Sequence, residues 1–466
     1  MRLILILNLL ILPYAFGSME DIQRVLRQRT DRQTKYAQLI IALRNEGLEF
    51  SAIPFLKEYL VRGSSKNSER LDAAFDQIIS KVGVRIFETL PIKYLRSSKL
   101  NSARYALAKK YLRVNNLNLA INTAKQVRRS HPAFPFTQNI LGVAYSIQGK
   151  YSTAISAFRQ CEDSSEDELS NAKSYYKKQL MLNRDTCRAG IARTYFAARD
   201  YSKSELAYLD IDKSSPVWPE ILFEEAWNSY YKGDYNRTLG KLVTYKAPIF
   251  DFVFNPEIEV LEALSYYKLC HFDQAKNSVN KFYSQYSTAA KKLRNILGRY
   301  KNDVIYFANL MIEFERRGGN QRSLIARMLR DIQKEGALLE IKESTILADK
   351  EIKKLKGYPG SKMRNLLMQN VYSVQKAQKK LLGAVVKGRL ISLYRRLQSS
   401  FEGMSYLKLE ILAQKKRSLY RNTPFKESMG EKKILDANDK QYYFDFNGEF
   451  WADELGDYVF AMRSKC

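Results

Sequence analysis

Histidine is the side chain that most often supplies acid-base chemistry or zinc binding near neutral pH. Only two histidines occur in the 466 residues, His131 and His271. Neither has another metal-ligating side chain three or four residues away, the spacing that places two ligands on one helix face. His131 directly precedes Pro132, which favours an exposed turn. The sequence therefore predicts no catalytic residue, no metal site and no cofactor here.

Paired carboxylates are sufficient for glycoside hydrolysis, because one donates a proton while the other acts as base or nucleophile. An acidic run at Glu162–Glu168 has this composition, but a solvated loop explains it more simply. A second group near the C-terminus contains Asp453, Glu454 and Asp457. Trp451 and Tyr458 flank this group, and aromatic rings often accompany carboxylates in sugar sites. A cell-wall-binding or cell-wall-hydrolysing protein is therefore an alternative to an acidic docking segment.

The formal net charge of +28 predicts partners that carry negative charge. The charge is most one-sided between Ile352 and Phe401, where no Asp or Glu occurs. Solvated helices usually mix both signs, so the counter-charges of this stretch are expected to come from anionic lipid, lipopolysaccharide, an acidic protein or the chain's own tail. A merely solvated basic face is the alternative. The cations predicted to contact an anionic surface are Lys376, Lys379, Lys380, Lys387, Arg389, Arg395 and Arg396.

The N-terminus has the pattern of a secretory signal peptide. Arg2 precedes an apolar run from Leu3 to Phe16, and Ala15 and Gly17 are small residues at the usual spacing before a cleavage site. The alternatives are an uncleaved N-terminal anchor and a buried first helix. No cysteine directly follows the run, so a lipoprotein anchor is not expected. Export to the periplasm or cell envelope of a Gram-negative bacterium makes nucleic acid an unexpected partner.

One pattern of small and aromatic residues returns five times between residues 100 and 287. Its main positions are Ala108 and Tyr111, then Gly142, Tyr145, Ala154 and Phe158, then Ala192 and Tyr195, then Ala226, and finally Ala263. The first two copies, and again the third and fourth, are 34 residues apart. Small residues let antiparallel helices approach, and the rings fill the space between neighbouring pairs. The sequence therefore predicts stacked helical hairpins.

The spacing of Leu141, Gly142, Tyr145, Ala154 and Phe158 resembles the tetratricopeptide repeat. This resemblance implies an all-α fold in which about five repeats form an α-solenoid. It also implies that the concave face of the solenoid holds a protein partner.

The rest of the chain differs from the repeats in pattern. The predicted segments are a signal peptide (1–17), an N-terminal helical region (18–99), the repeats (100–287), a basic long-helix hairpin (288–425) and an acidic, aromatic tail (426–466). In the hairpin, one apolar stripe runs from Ile325 to Leu355 and another from Leu367 to Ile411, and glycines with a proline separate them. A coiled-coil-like pair of long helices is expected.

The C-terminal tail contains Asn447-Gly448 between aromatic flanks, which indicates a short β-hairpin. Residues Phe446–Tyr458 resemble the C-terminal ends of repeat proteins exported by Gram-negative gliding and predatory bacteria, including gliding-motility complex components. The resemblance implies a place in an envelope complex related to motility.

Four cysteines, at positions 161, 187, 270 and 466, lack the paired C-x-x-C spacing of zinc and redox sites. Cys161 and Cys187 bracket residues inserted between the second and third repeats. The helix ends that carry them are expected to be antiparallel neighbours, so an exported protein could join them as a disulfide. Two buried free thiols are the alternative.

These observations favour an exported, non-enzymatic scaffold that binds proteins through its repeats and an anionic surface through its basic hairpin.

Overall fold

The computed structural model describes residues 19–62, 69–170, 172, 174–318, 323–420 and 446–466. The predicted signal peptide lies outside these ranges. Every regular element within them is a helix, which confirms the all-α class. The chain forms two compact units, and the first combines the N-terminal region up to Leu107 with residues 343–377. The second combines residues 108–342 with 378–466, so the predicted basic hairpin is divided between both units.

Six helices begin the first unit. They are α1 (Met19–Arg27), α2 (Arg32–Asn45), α3 (Glu49–Val61), α4 (Glu69–Val82), α5 (Arg85–Glu88) and α6 (Ile92–Arg96). Leu39, Ile40 and Leu43 on α2 are buried in the core of this unit.

Five helical hairpins follow. They are α7 (Asn101–Arg113) with α8 (Leu117–Ala124), α9 (Phe134–Ile147) with α10 (Tyr151–Leu169), α11 (Ser174–Ala197) with α12 (Tyr201–Leu209), α13 (Trp218–Tyr231) with α14 (Tyr235–Val243), and α15 (Glu257–Lys268) with α16 (Phe272–Arg299). One residue in each connecting turn has a positive φ: Asn115, Gly149, Arg199, Gly233 and Cys270. The second helix of each hairpin contacts the first helix of the next. This succession fits an α-solenoid.

The second hairpin shows why the pattern requires small residues. The ring of Phe158 lies between Gly142 on α9 and Gly190 on α11. A Cβ atom at Gly142 would lie 2.5 Å from the ring, and one at Gly190 would lie 2.6 Å from it. Ala108, Ala154, Ala192, Ala226 and Ala263 are also fully buried. The small residues therefore set the distance between helices, as the pattern predicts.

The residues inserted after the second repeat lengthen both flanking helices, so that α10 has 19 residues and α11 has 24. The acidic run is therefore helical, and the expected loop is wrong. Its carboxylates pair with α11: Glu166 lies 2.8 Å from Arg184, and Glu162 lies 2.7 Å from Arg188. A disulfide joins Cys161 to Cys187 across the same two helices.

Four helices complete the chain: α17 (Val304–Arg316), α18 (Leu324–Gln333), α19 (Gly336–Lys356) and α20 (Lys362–Tyr420). The continuous helix predicted from Ile325 to Leu355 is wrong, because the chain turns between Gln333 and Gly336. Glycine is a poor helix former, and this turn buries both Ile332 and Leu338. The break predicted between Gly357 and Gly360 separates α19 from α20, which is 59 residues long.

Within the first unit, a carboxylate from α19 caps the N-terminus of α3. The residue before α3, Leu48, supplies no side-chain cap. Instead Glu351 accepts hydrogen bonds from the backbone N–H groups of Phe50 and Ser51, both at 2.8 Å, and from the Ser51 hydroxyl at 2.6 Å. These bonds satisfy helix-end donors that would otherwise be buried without a partner.

Burial raises the pKa of Glu351 to about 7, from an ordinary value of 4.5. Between these values the folded protein keeps a proton that the unfolded chain has released, so stability falls as pH rises through this window. We expect the free energy of unfolding of the native protein to fall by about 3 kcal/mol across this window. Glu351→Gln cannot ionise, so it should not show this loss. Urea unfolding from pH 5 to pH 8 measures the difference. Glu58→Gln, an exposed change on α3, is the control, and an equal pH dependence of Glu351→Gln and the native protein would contradict this assignment.

Candidate functional site

The exposed basic part of α20 is smaller than the sequence predicts. Arg389 is paired with Glu335, and Arg396 lies 3.9 Å from Glu257. The ammonium group of Lys387 donates to the backbone carbonyl of Lys301. Arg389 and Arg396 therefore have carboxylates beside them that the packing of α20 brings from distant parts of the chain.

Four predicted cations remain exposed: Lys376 in the first unit, and Lys379, Lys380 and Arg395 in the second. Among the residues that the structure describes, none of these four has an ion pair or a hydrogen bond through its side chain. An anionic partner can pair with these groups without first breaking an internal ion pair. They are the residues of α20 that fit contact with an anionic surface.

A cluster of aromatic rings lies where the third and fourth hairpins turn. Its members are Phe196, Tyr201, Phe223, Trp227, Tyr230, Tyr231 and Tyr235. Tyr201 and Tyr231 stack with their centroids 5.5 Å apart and an angle of 10° between the rings. Trp227 stacks on the same Tyr231 at 5.8 Å. The 34-residue repeat brings these rings together, because Tyr201 and Tyr235 open equivalent helices of successive hairpins.

Part of this aromatic cluster faces solvent. Tyr231 is 54% exposed, and α12 exposes Leu206 and Leu209 by 64% and 71%. Large exposed apolar side chains of this kind are those that protein interfaces bury. The sequence analysis did not predict this cluster. The spacing of 34 residues between Tyr201 and Tyr235 was the available signal.

A half-buried ion pair links α11 and α13, which carry most of the rings of the aromatic cluster. Arg193 on α11 lies 2.8 Å from Glu224 on α13, and the hydroxyl of Tyr208 donates to the same carboxylate at 2.9 Å. Burial, together with the charge of Glu224, raises the pKa of Tyr208 well above its ordinary value. Arg193 is three residues from Phe196, and Glu224 is three from Trp227, so each ion-paired residue lies beside a ring of the cluster. A fixed scaffold of this kind reduces the ordering cost of binding.

The C-terminal residues 446–466, here called the strap, lie against the second unit. The described part of the strap contains no strand, and the other flank of the predicted β-hairpin, residues 442–445, lies outside the described residues. Gly448 has a left-handed φ of 90°. Phe446, Phe450 and Tyr458 pack on one another.

A lysine of the second unit contacts two acidic residues of the strap. The ammonium group of Lys213 lies 2.7 Å from the carbonyl of Asp453 and 2.9 Å from the carboxylate of Asp457. Leu455, between them, is buried with Trp218 and Leu222. Trp451 stays 61% exposed. These contacts hold the strap on the second unit through Asp457 and Leu455.

The two histidines occupy structural positions. His131 accepts a hydrogen bond from the backbone N–H of Ala133 through Nδ1 at 3.1 Å, within the turn before α9. Nε2 of His271 lies 2.9 Å from the carbonyl of Arg463 in the strap. Across the described ranges, no group of three His, Cys, Asp or Glu side chains could hold a metal ion. None of the helices in those ranges is both long and apolar enough to cross a membrane.

No protein-family model matches the chain, and the comparison with curated proteins gives no match.

Proposed function

We propose that this chain is an exported, non-enzymatic tetratricopeptide-repeat scaffold of a bacterial envelope complex. Its α-solenoid binds a protein partner, and the exposed cations of α20 contact an anionic surface. The observation that carries the proposal is the exposure of Lys379, Lys380 and Arg395 without any counter-charge among the described residues. On a chain of net charge +28, these groups favour association with clustered phosphates such as those of lipid or lipopolysaccharide.

Two further features support the proposal. Two disulfides use all four cysteines, which suits an oxidising compartment outside the cytosol. The exposed aromatic cluster supplies the rigid apolar surface that a protein partner would bury. The resemblance of Phe446–Tyr458 to exported proteins of gliding bacteria supports a complex related to motility.

Reversing the three cations of the second unit tests the anionic contact. We expect Lys379→Glu, Lys380→Glu and Arg395→Glu together to weaken binding to anionic vesicles or lipopolysaccharide by about 100-fold or more, since each cation near such a surface contributes about 1 kcal/mol. Helicity should be unchanged because all three side chains are exposed. Cosedimentation at several salt concentrations measures the effect, and binding of the native protein should weaken as salt rises.

A second triple variant separates local contact from overall charge. Arg159, Lys177 and Lys178 are exposed on α10 and α11, and their reversal changes the net charge by the same amount. We expect this control to keep most of the binding. Equal losses in the two variants, or binding that ignores both, would reject α20 as the anionic contact.

A further inference from the structure

The part of the strap that follows its turn, residues 458–466, is held by backbone contacts with α14 and with the turn before α16. The side-chain amide of Asn236 donates to the carbonyl of Met462 at 3.0 Å and accepts from the N–H of the same residue at 3.1 Å. The backbone carbonyl of Asn236 accepts from the N–H of Phe460 at 3.1 Å. A paired amide contact of this kind reads the backbone of a bound chain and needs no particular side chain.

Glycines on both partners allow the strap backbone to approach closely. A Cβ atom at Gly240 on α14 would lie 1.8 Å from the carbonyl oxygen of Tyr458, so no other residue fits there without movement. Gly456 of the strap has a φ of 89° and donates its N–H to the hydroxyl of Thr244 at 3.1 Å. The surface under the strap is therefore shaped to accept a polypeptide backbone.

The last residues of the strap are fastened at the turn before α16. The N–H of Lys465 donates to the carbonyl of Leu269 at 2.9 Å. Cys466, the final residue, forms a disulfide with Cys270, and this bond closes a separation of 196 residues. The covalent bond therefore anchors the strap at Cys466.

The two disulfides differ in accessibility. Cys161 and Cys187 are both completely buried. Cys466 is exposed, and Cys270 is half-buried. Thiol–disulfide exchange requires a thiolate to reach one sulfur atom directly, so the disulfide with an exposed residue is the more accessible of the two to a reductant. The buried disulfide offers no such path.

We propose that the surface formed by α13–α16 is a peptide-binding site that the chain fills with its own strap. In this proposal Cys270–Cys466 is a thiol-sensitive lock on that site. A dithiol reductant transfers two electrons and two protons to the bond. The products are the thiols of Cys270 and Cys466 and one disulfide in the reductant. The strap then exchanges between bound and free states. The uncovered site accepts an added peptide that has the same acidic and aromatic sequence.

Cys466→Ser in the full chain opens the lock without any reductant. We expect the amides of residues 455–465 to exchange with solvent about 30-fold faster or more, given the usual contribution of a disulfide. A fluorescent peptide of residues 446–466, with serine at its last position, should bind this variant and not the oxidised native protein. Hydrogen exchange and fluorescence anisotropy measure the two effects. Far-ultraviolet circular dichroism and an intact Cys161–Cys187 bond verify the fold.

A graded dithiol titration of the native protein, followed by peptide mapping, gives an independent measurement. We expect Cys270–Cys466 to open at reductant concentrations that leave Cys161–Cys187 intact.

Gly240→Ala should speed the hydrogen exchange of the strap even in the oxidised protein, whereas Gly298→Ala, which has open space around it, should not. Simultaneous opening of both disulfides, or unchanged exchange with no peptide binding in Cys466→Ser, would overturn the proposal. None of these measurements involves an anionic surface, so their failure is distinct from failure of the proposed function.

Discussion

Gly142→Leu is expected to unfold the second helical hairpin. The new side chain would enter the space of the Phe158 ring, which a Cβ atom at this position already approaches to 2.5 Å. The ring cannot retreat, because Gly190 contacts it on α11. Overpacking a well-filled core costs about 1–3 kcal/mol, and the upper end applies here because the ring is confined by both helices. Urea unfolding monitored by circular dichroism measures the loss of stability as a lower unfolding midpoint.

Two further variants make this result specific. Gly298→Leu on α16 adds the same side chain where nothing lies within 4 Å, and its stability should change little. Phe158→Ala removes the ring, so the double variant Gly142→Leu, Phe158→Ala should be less destabilised than the sum of the two single changes. An unchanged midpoint for Gly142→Leu, or strict additivity of the pair, would reject the assigned packing.

Gly383→Ala is expected to destabilise the second unit by about 3 kcal/mol, near the upper end of overpacking costs. Helix α20 meets α17 at this glycine, and an added Cβ would lie 1.8 Å from the carbonyl oxygen of Val304 and 3.1 Å from the backbone nitrogen of Ala308. A backbone atom cannot rotate away as a flexible side chain can. The two helices must separate, which also loosens the packing of Phe307 and Val386.

Gly388→Ala on the same helix is the matched control. It has no neighbour within 4 Å and is exposed, so alanine should stabilise by up to about 1 kcal/mol through its better helix propensity. If Gly383→Ala lowers the free energy of unfolding and Gly388→Ala raises it, the close contact of α20 with α17 is established. If both variants lose or both gain stability in urea unfolding, the close approach of α20 to α17 is wrong.

Much of the helical architecture could be predicted from local patterns. A small residue at Gly142 and a ring at Phe158 are close in sequence, and the same spacing recurs after a fixed number of residues, so repetition identifies it. Cys161 and Cys187 could also be paired from sequence, because they lie on consecutive helices whose ends must be neighbours. The break between Gly357 and Gly360 is likewise a local property of glycine and proline.

The interactions of α20 could not be predicted in the same way. Its unbroken basic composition suggested a wholly exposed face, yet Glu335 and Glu257 reach Arg389 and Arg396 from other helices. Ion pairs between helices that are distant in sequence leave no periodic signal, since a single carboxylate at the right place is sufficient. The sequence therefore indicated the charge of the helix but overestimated how many of its basic side chains lack a partner within the chain.

The sequence by itself determined the helical class, the helical hairpins between residues 101 and 299, and the excess of positive charge, because each depends on residue type and short-range spacing. Only the tertiary structure decided that Glu351 caps α3, that Asn236 holds the strap and that Cys466 joins Cys270. These contacts join residues separated by about 200 to 300 positions. The physical reason is that such partners meet only after the helices have packed, and no local pattern encodes which one of many polar groups will be opposite.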